Sequence, residues 1–334
     1  MAKIVAMGEM LMRLSPVGYQ KLVQAQPFDV YYGGSEANVL ISLACMGQET
    51  RYVSRLPKND LGYAARNTLR HWGVDTDVLA WGGNRLGIYY MEQGAAIRPS
   101  NVVYDRAGSA AAGMEPCMFD WSKVFDGADW FHFSGITPAI SASAAETVAA
   151  AVKAAKAMGL TVSCDLNYRS KLWTPEECQK VMIPLMKYVD VVLASADDCA
   201  DCLGVKLSGR GMWEDAEEAA YAVSETYGIK TVAVMMRENH DVLNKGWCAL
   251  LLQDGTLVKS RKLGLNTVDI VGTGDAFMAG FIYGLKAGRG PAFTLDYALT
   301  ASALEQSIPG DFNVVSTDEI LSVMGADAVQ DIRR

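Results

Sequence analysis

The residues best suited to chemistry lie late in the chain, in Val268-Asp269-Ile270-Val271-Gly272-Thr273-Gly274-Asp275-Ala276-Phe277. Glycines precede an unbroken helix-forming run in which Phe277, Phe281, Ile282 and Leu285 recur at helical spacing, which places those glycines at a helix N-terminus. There the N–H groups of Gly272, Thr273 and Gly274 would face an anion, with the positive end of the helix dipole behind them. Asp275 would repel a phosphate held by those donors, yet it is suited to accept a proton from a hydroxyl that attacks the phosphate. Glycine donors beside one acid therefore read as phosphoryl transfer. The same spacing fits a helix capped by Asp after a glycine turn, and a short glycine motif does not separate the two.

Three further groups stand out. Gly33-Gly34-Ser35-Glu36-Ala37-Asn38 joins a short strand to an amphipathic helix, where bare backbone lets a small ligand approach closely, or where the chain simply turns. Tyr104 and Arg106 are two apart on an expected strand and so share a face, with Tyr89 on the strand before. An Arg with two Tyr hydroxyls suits a carboxylate or a keto acid, although edge strands also carry such residues without a function. Asp165, Asn167 and Arg169 follow the strand Leu160 to Cys164. If the chain stays extended they share a face at the carboxyl end of the sheet, where open α/β folds bind ligands; a solvated loop is the other reading. Ser195-Ala196-Asp197-Asp198 begins a helix that Ser195 would cap.

These groups need a scaffold of alternating strands and helices. The first strand runs from Lys3 to Met7, and Gly87–Glu92 and Asn101 to Arg106 alternate with no helix between them, so they stand outside a parallel layer. A hairpin is expected over Asp254-Gly255, and helices over 275–287 and 292–306. His240 reads as a loop residue, and the chain after Met324 as a tail. The 334 residues are half hydrophobic, enough for one large α/β domain, and no apolar stretch runs unbroken for about 18 residues as a membrane span would. A net charge of −8 argues against a nucleic-acid partner. Seven scattered cysteines and no signal-peptide pattern point to reduced thiols and the cytoplasm; Cys199-x-x-Cys202 has no second pair to complete a metal site. No Gly-x-x-x-x-Gly-Lys-Ser/Thr is present, and Gly272-x-Gly274 lacks the third glycine of a dinucleotide fold.

Asp269 to Asp275 resembles the C-terminal signature of the ribokinase-like (PfkB) carbohydrate kinases, usually Asp-Thr-x-Gly-Ala-Gly-Asp, with Ile270 in place of Thr and Thr273 in place of Ala. Asp165-x-Asn167-x-Arg169 followed by Leu172-Trp173 resembles the 2-keto-3-deoxygluconate kinases. The resemblance implies an α/β fold: a three-layer α/β/α sandwich with a mainly parallel central sheet and a small β-sheet lid. It implies one kinase domain over residues 1–334, with lid strands from about 10–15, 28–32 and 87–106. Asp275 is then the base and Gly272, Thr273 and Gly274 the anion hole. Gly34, Asn38, Tyr89, Tyr104, Arg106, Asp165, Asn167, Arg169 and Asp311 are implied around a sugar acid, with the Arg contacts on its carboxylate. Ser195, Arg237, Gly272 and Gly274 are implied around ATP, with Arg237 in the loop after its strand, and Asp198 near Mg²⁺ through water. Backbone near Asp311 would help hold a monovalent cation such as K⁺, and lid strands would pair in a homodimer. A neutral-sugar kinase such as a fructokinase is the alternative within the family, and a non-catalytic sugar-binding protein the alternative outside it.

Overall fold

The computed structural model describes residues 3–239 and 243–324. His240 and the expected tail after Met324 lie outside the described residues. In chain order the strands are β1 (Lys3–Met7), β2 (Leu11–Pro16), β3 (Phe28–Gly33), β4 (Thr50–Val53), β5 (Arg55–Leu56), β6 (Ala80–Trp81), β7 (Gly87–Glu92) and β8 (Asn101–Asp105). They continue as β9 (Ala128–Ser134), β10 (Thr161–Asp165), β11 (Val191–Ala194), β12 (Thr231–Asn239), β13 (Asn244–Gln253), β14 (Thr256–Lys259) and β15 (Leu263–Asn266).

The central sheet has the order β14-β13-β12-β11-β10-β9-β1-β4, with β15 also paired to β13. From β4 to β12 all pairings are parallel, and β13 turns the edge antiparallel. Alternation along the strands explains the layering, because successive side chains enter opposite faces. Val5 and Met7 pack with the helices Ala142–Ala157, Pro175–Met186 and Met212–Tyr227, whereas Ile4 and Ala6 pack with Ser35–Cys45, Thr273–Ala287 and Pro291–Glu305. Both faces are thus covered by helices, as a buried parallel sheet requires. The fold is the expected three-layer sandwich.

A second sheet, β3-β2-β7-β8, stands apart as the lid. Its inner face contributes Leu11, Tyr89 and Met91 to a small cluster that also takes in Ile270 and Val271 from the glycine segment. The lid therefore rests directly on the loop ahead of the catalytic-type helix.

Four local details differ from the sequence expectations. The helix expected from 275 begins at Thr273, so the acid sits inside its first turn. Strand β12 runs on to Asn239, so Arg237 lies in a strand opposite Trp247 rather than in a loop. β8 stops at Asp105, leaving Arg106 just beyond it. The stretch expected as one strand from Leu257 to Leu263 is broken between β14 and β15. Among the described residues no helix is long and apolar enough to cross a membrane.

Candidate active site

The glycine turn is fixed by backbone geometry. Gly272 caps the helix Thr273–Ala287 with φ of 91°, and a β-carbon there would overlap the carbonyl of Asp311. Both facts demand glycine. Gly274 differs: a β-carbon there would only touch Met235 at 3.5 Å, so its bareness leaves the first turn open. The N–H groups of Gly272, Thr273 and Gly274 precede the helical hydrogen-bond ladder and have no acceptor among the described residues. Below the turn, Thr273 Oγ1 donates to the Ile270 carbonyl at 2.8 Å and lies 3.1 Å from Glu305 Oε2, and Ser302 Oγ donates to the Thr273 carbonyl.

Asp275 is 8% exposed and is held at both oxygens. Ser35 Oγ donates to Oδ1 and Asn38 Nδ2 to Oδ2, each at 2.7 Å. Burial pushes its carboxyl up to about 6, against the pull of those two bonds; Glu36 adds to the rise and Arg169 opposes it. A carboxylate poised near neutrality and oriented through both oxygens, each of which keeps a lone pair, has the form of a general base. Asn38 thus sits against the acid, and its Oδ1 accepts from the Gly34 amide at 3.1 Å. Gly34 itself is bare because a β-carbon would overlap the Glu9 carbonyl.

The chain bends after β10. Asn167 has φ of 38°, so the alternation expected from an extended run does not hold, yet its Nδ2 still reaches Ser35 at 3.3 Å and Asp165 at 3.4 Å. Asp165 is buried, and burial, then the charges of Asp198 and Asp275, push its carboxyl well above the usual range. Arg169 makes no ion pair among the described residues; its one hydrogen bond runs to the Tyr168 carbonyl at 3.4 Å. Burial, then the Arg169 charge, pushes the Arg237 guanidinium down. Neither guanidinium forms an ion pair among the described residues, so both charges are available to an anionic ligand. Arg237 lines a cleft of about 250 Å³ between lid and central sheet, with Met91, Gln93, Lys245, Asp269 and Ile270 among its other walls.

On the lid, Tyr89 and Tyr104 are directly opposite each other, and the Arg106 guanidinium lies 5.6 Å from the Tyr104 ring. The expected face is therefore assembled, although Arg106 is off the strand. Its charge is occupied: Nε donates to Glu9 Oε2 at 2.8 Å, and Ser109 also bonds Glu9. Tyr89 donates to Asp311, whose carboxyl burial pushes up to about 6 while Arg13 opposes the rise. Ser195 and Asp198 form a reciprocal helix cap, with Ser195 N and Oγ donating to Asp198 Oδ2 and Tyr168 N to Oδ1. The capping reading of Ser195 thus holds geometrically. Among the described residues no group of three His, Cys, Asp or Glu could hold a metal; the Asp198 carboxylate is a hard oxygen donor that suits a Mg²⁺ keeping most of its waters.

Sequence reasoning missed several members. Ser35 lay within the Gly-Gly run but carried no mark of its role. Glu36, buried and bonded by Ser134 and Thr137, gave no signal. Arg13 did give one: it occupies the same face of β2 as Leu11 and Ser15, all three buried.

A sequence profile described as pfkB family carbohydrate kinase matches residues 1–312. The crystal structure of 2-dehydro-3-deoxygluconokinase from Thermotoga maritima superposes with a TM-score of 0.95 at 45% identity, covering 97% of this chain and 98% of that one. A 2-dehydro-3-deoxygalactonokinase from Haloferax volcanii is 35% identical over 98% of each chain. A 2-dehydro-3-deoxygluconokinase from Thermoproteus tenax is 30% identical over 93% of this chain and 90% of its own.

Proposed function

This chain belongs to the pfkB family of carbohydrate kinases, and from that premise we propose that it transfers the γ-phosphate of ATP to a hydroxyl of a 2-keto-3-deoxy sugar acid, foremost 2-keto-3-deoxygluconate. One observation carries the reading: Asp275, lifted to about 6 and gripped by Ser35 and Asn38, stands in the first helical turn beside amide donors that lack acceptors.

In this proposal Asp275 takes the proton of the sugar hydroxyl as the hydroxyl oxygen bonds to the γ-phosphorus and the bond from that phosphorus to the β,γ-bridging oxygen breaks, releasing ADP. The amides of Gly272, Thr273 and Gly274 hold the equatorial oxygens of the migrating group, whose charge they meet without reorganising. Bound Mg²⁺ would screen phosphate charge, with Asp198 near it through water. Arg237 faces the phosphates from β12. Arg169 takes the carboxylate of the sugar acid, because its guanidinium has no acid partner to surrender; Tyr104 and Arg106 frame the keto end. Asp311, Gly34 and Asn167 border the hydroxyls.

A phosphorylation panel with ATP tests the substrate. Turnover of 2-keto-3-deoxygluconate or its galacto epimer is expected to exceed that of fructose and ribose by kcat/KM, and Arg169→Ala to remove most of that preference. Fructose phosphorylated as efficiently as the keto acid would overturn the assignment.

A further inference from the structure

The largest fully buried charged side chain is one that this mechanism does not use. Arg13, on lid strand β2, is 2% exposed, and its guanidinium lies 5.1 Å from the Tyr31 ring. Every arm of the fork is engaged: Nε donates to Ser15 Oγ at 2.8 Å, Nη1 to Asp311 Oδ1 at 3.1 Å and Nη2 to Asp269 Oδ2 at 2.6 Å. The two acids are no ordinary partners. Asp269 Oδ1 accepts from the amides of Ile270 and Val271, and Oδ2 from that of Gly310. Asp311 is held by Tyr89 through its other oxygen, and its own carbonyl is the group against which Gly272 is packed. One lid side chain therefore ties together the segment leading into the glycine turn and the segment lying over it.

We propose that Arg13 is a positioning residue for phosphoryl transfer: it sets the shape of the Gly272 turn and the placement of Asp311 only when strand β2 is docked, so that the lid and the anion hole act as one unit. This rests on the kinase reading given above. The fork geometry matters as much as the charge. A lysine ammonium is a point charge and cannot bridge two carboxylates along fixed directions as the planar guanidinium does. Facing the guanidinium are Tyr31 from β3, Tyr89 from β7, Asp269 and Asp311 from the two loops, and Glu305 behind them. Without Arg13 these acids face one another uncompensated. Asp311 then binds its proton more tightly.

The test compares wild type, Arg13→Lys, Arg13→Ala and Asp275→Asn in steady-state kinetics, with whichever sugar the wild type turns over, alongside thermal unfolding. Arg13→Ala is expected to lose at least about 30-fold in kcat/KM, because the turn that holds the amide donors loses its tie to the lid. Added guanidinium chloride, at concentrations that leave the wild type unaffected, is expected to restore part of the activity of Arg13→Ala and none of that of Asp275→Asn. Arg13→Lys is expected to unfold at the wild-type temperature yet remain impaired, and it decides the matter if Arg13→Ala does not fold. Wild-type kinetics in either Arg13 variant would overturn the proposal, as would a folded Arg13→Ala that guanidinium does not rescue. A wild type that phosphorylates no sugar in the panel overturns the kinase reading and this inference with it; an active wild type beside an equally active variant overturns only the role of Arg13.

Discussion

Asp275 is a useful acid because of two neighbours 240 and 237 residues before it in the chain. Burial raises its carboxyl, and the bonds from Ser35 and Asn38 oppose that rise, leaving it at about 6. A base must be deprotonated to work, so kcat/KM is expected to fall about tenfold per pH unit below that value, as a pH–rate profile would show. Asn38→Ala removes one of the two bonds that favour the anion. Its acid limb is expected to shift to higher pH, so the variant loses more activity at pH 6 than at pH 8. Asp275→Asn removes the acceptor altogether and is expected to cost about 10²–10⁴-fold in kcat with folding intact, measured by a coupled ADP assay and thermal unfolding. Normal turnover in that variant would refute the assignment of the base.

The helix Thr273–Ala287 and the turn before it show which parts of the site are legible as pattern. Two glycines of the signature serve different ends, and substitution separates them. Gly272→Ala forces a β-carbon into a left-handed conformation and against the Asp311 carbonyl, so about 1–3 kcal/mol of stability is expected to be lost in urea unfolding. Gly274→Ala meets only Met235, and is expected to keep the wild-type midpoint while activity falls, because the new methyl group stands where phosphate would lie. The helix behind the glycines and the alternation of the sheet were visible, since each follows from local periodicity or from glycine chemistry, whereas the lid was expected from the family resemblance beside two strands with no helix between them. What stayed hidden depends on partners far away in sequence. Nothing near Ser35 reveals Asp275, and nothing near Arg106 reveals that Glu9 holds it. Asn167 was misjudged in conformation because a left-handed φ at an Asn leaves no trace in the spacing. Arg237 was misplaced because β12 outlasts its apolar run, carried on by pairing with β13.

Across the whole molecule, acids gather where lid and sandwich meet, and they make stability depend on pH. Asp275 and Asp311 both stand at about 6 in the folded chain, above the 3.8 of an ordinary Asp. A raised carboxyl binds protons more tightly when folded, so its contribution is fully present below about 4 and is lost as pH rises through 6. The unfolding free energy of the ligand-free protein, read from urea curves, is therefore expected to rise as pH falls from 7.5 to 5, by at most about 1.4 kcal/mol per pH unit for each group. The double variant Asp275→Asn, Asp311→Asn is expected to flatten that slope in part, because Asp165, Glu36 and Glu305 are also raised by burial. The same long-range construction has a temporal side. As the ribosome extends this chain, β2 emerges early, and Arg13 waits for Asp269 and Asp311, 256 and 298 residues behind it. Until they arrive its guanidinium has neither acid to bind, and the amide donors at Gly272 do not yet exist. A nascent chain halted between the end of the helix Pro291–Glu305 and residue 311 would hold a complete lid and most of the sandwich, yet lack the closing step that makes it an enzyme.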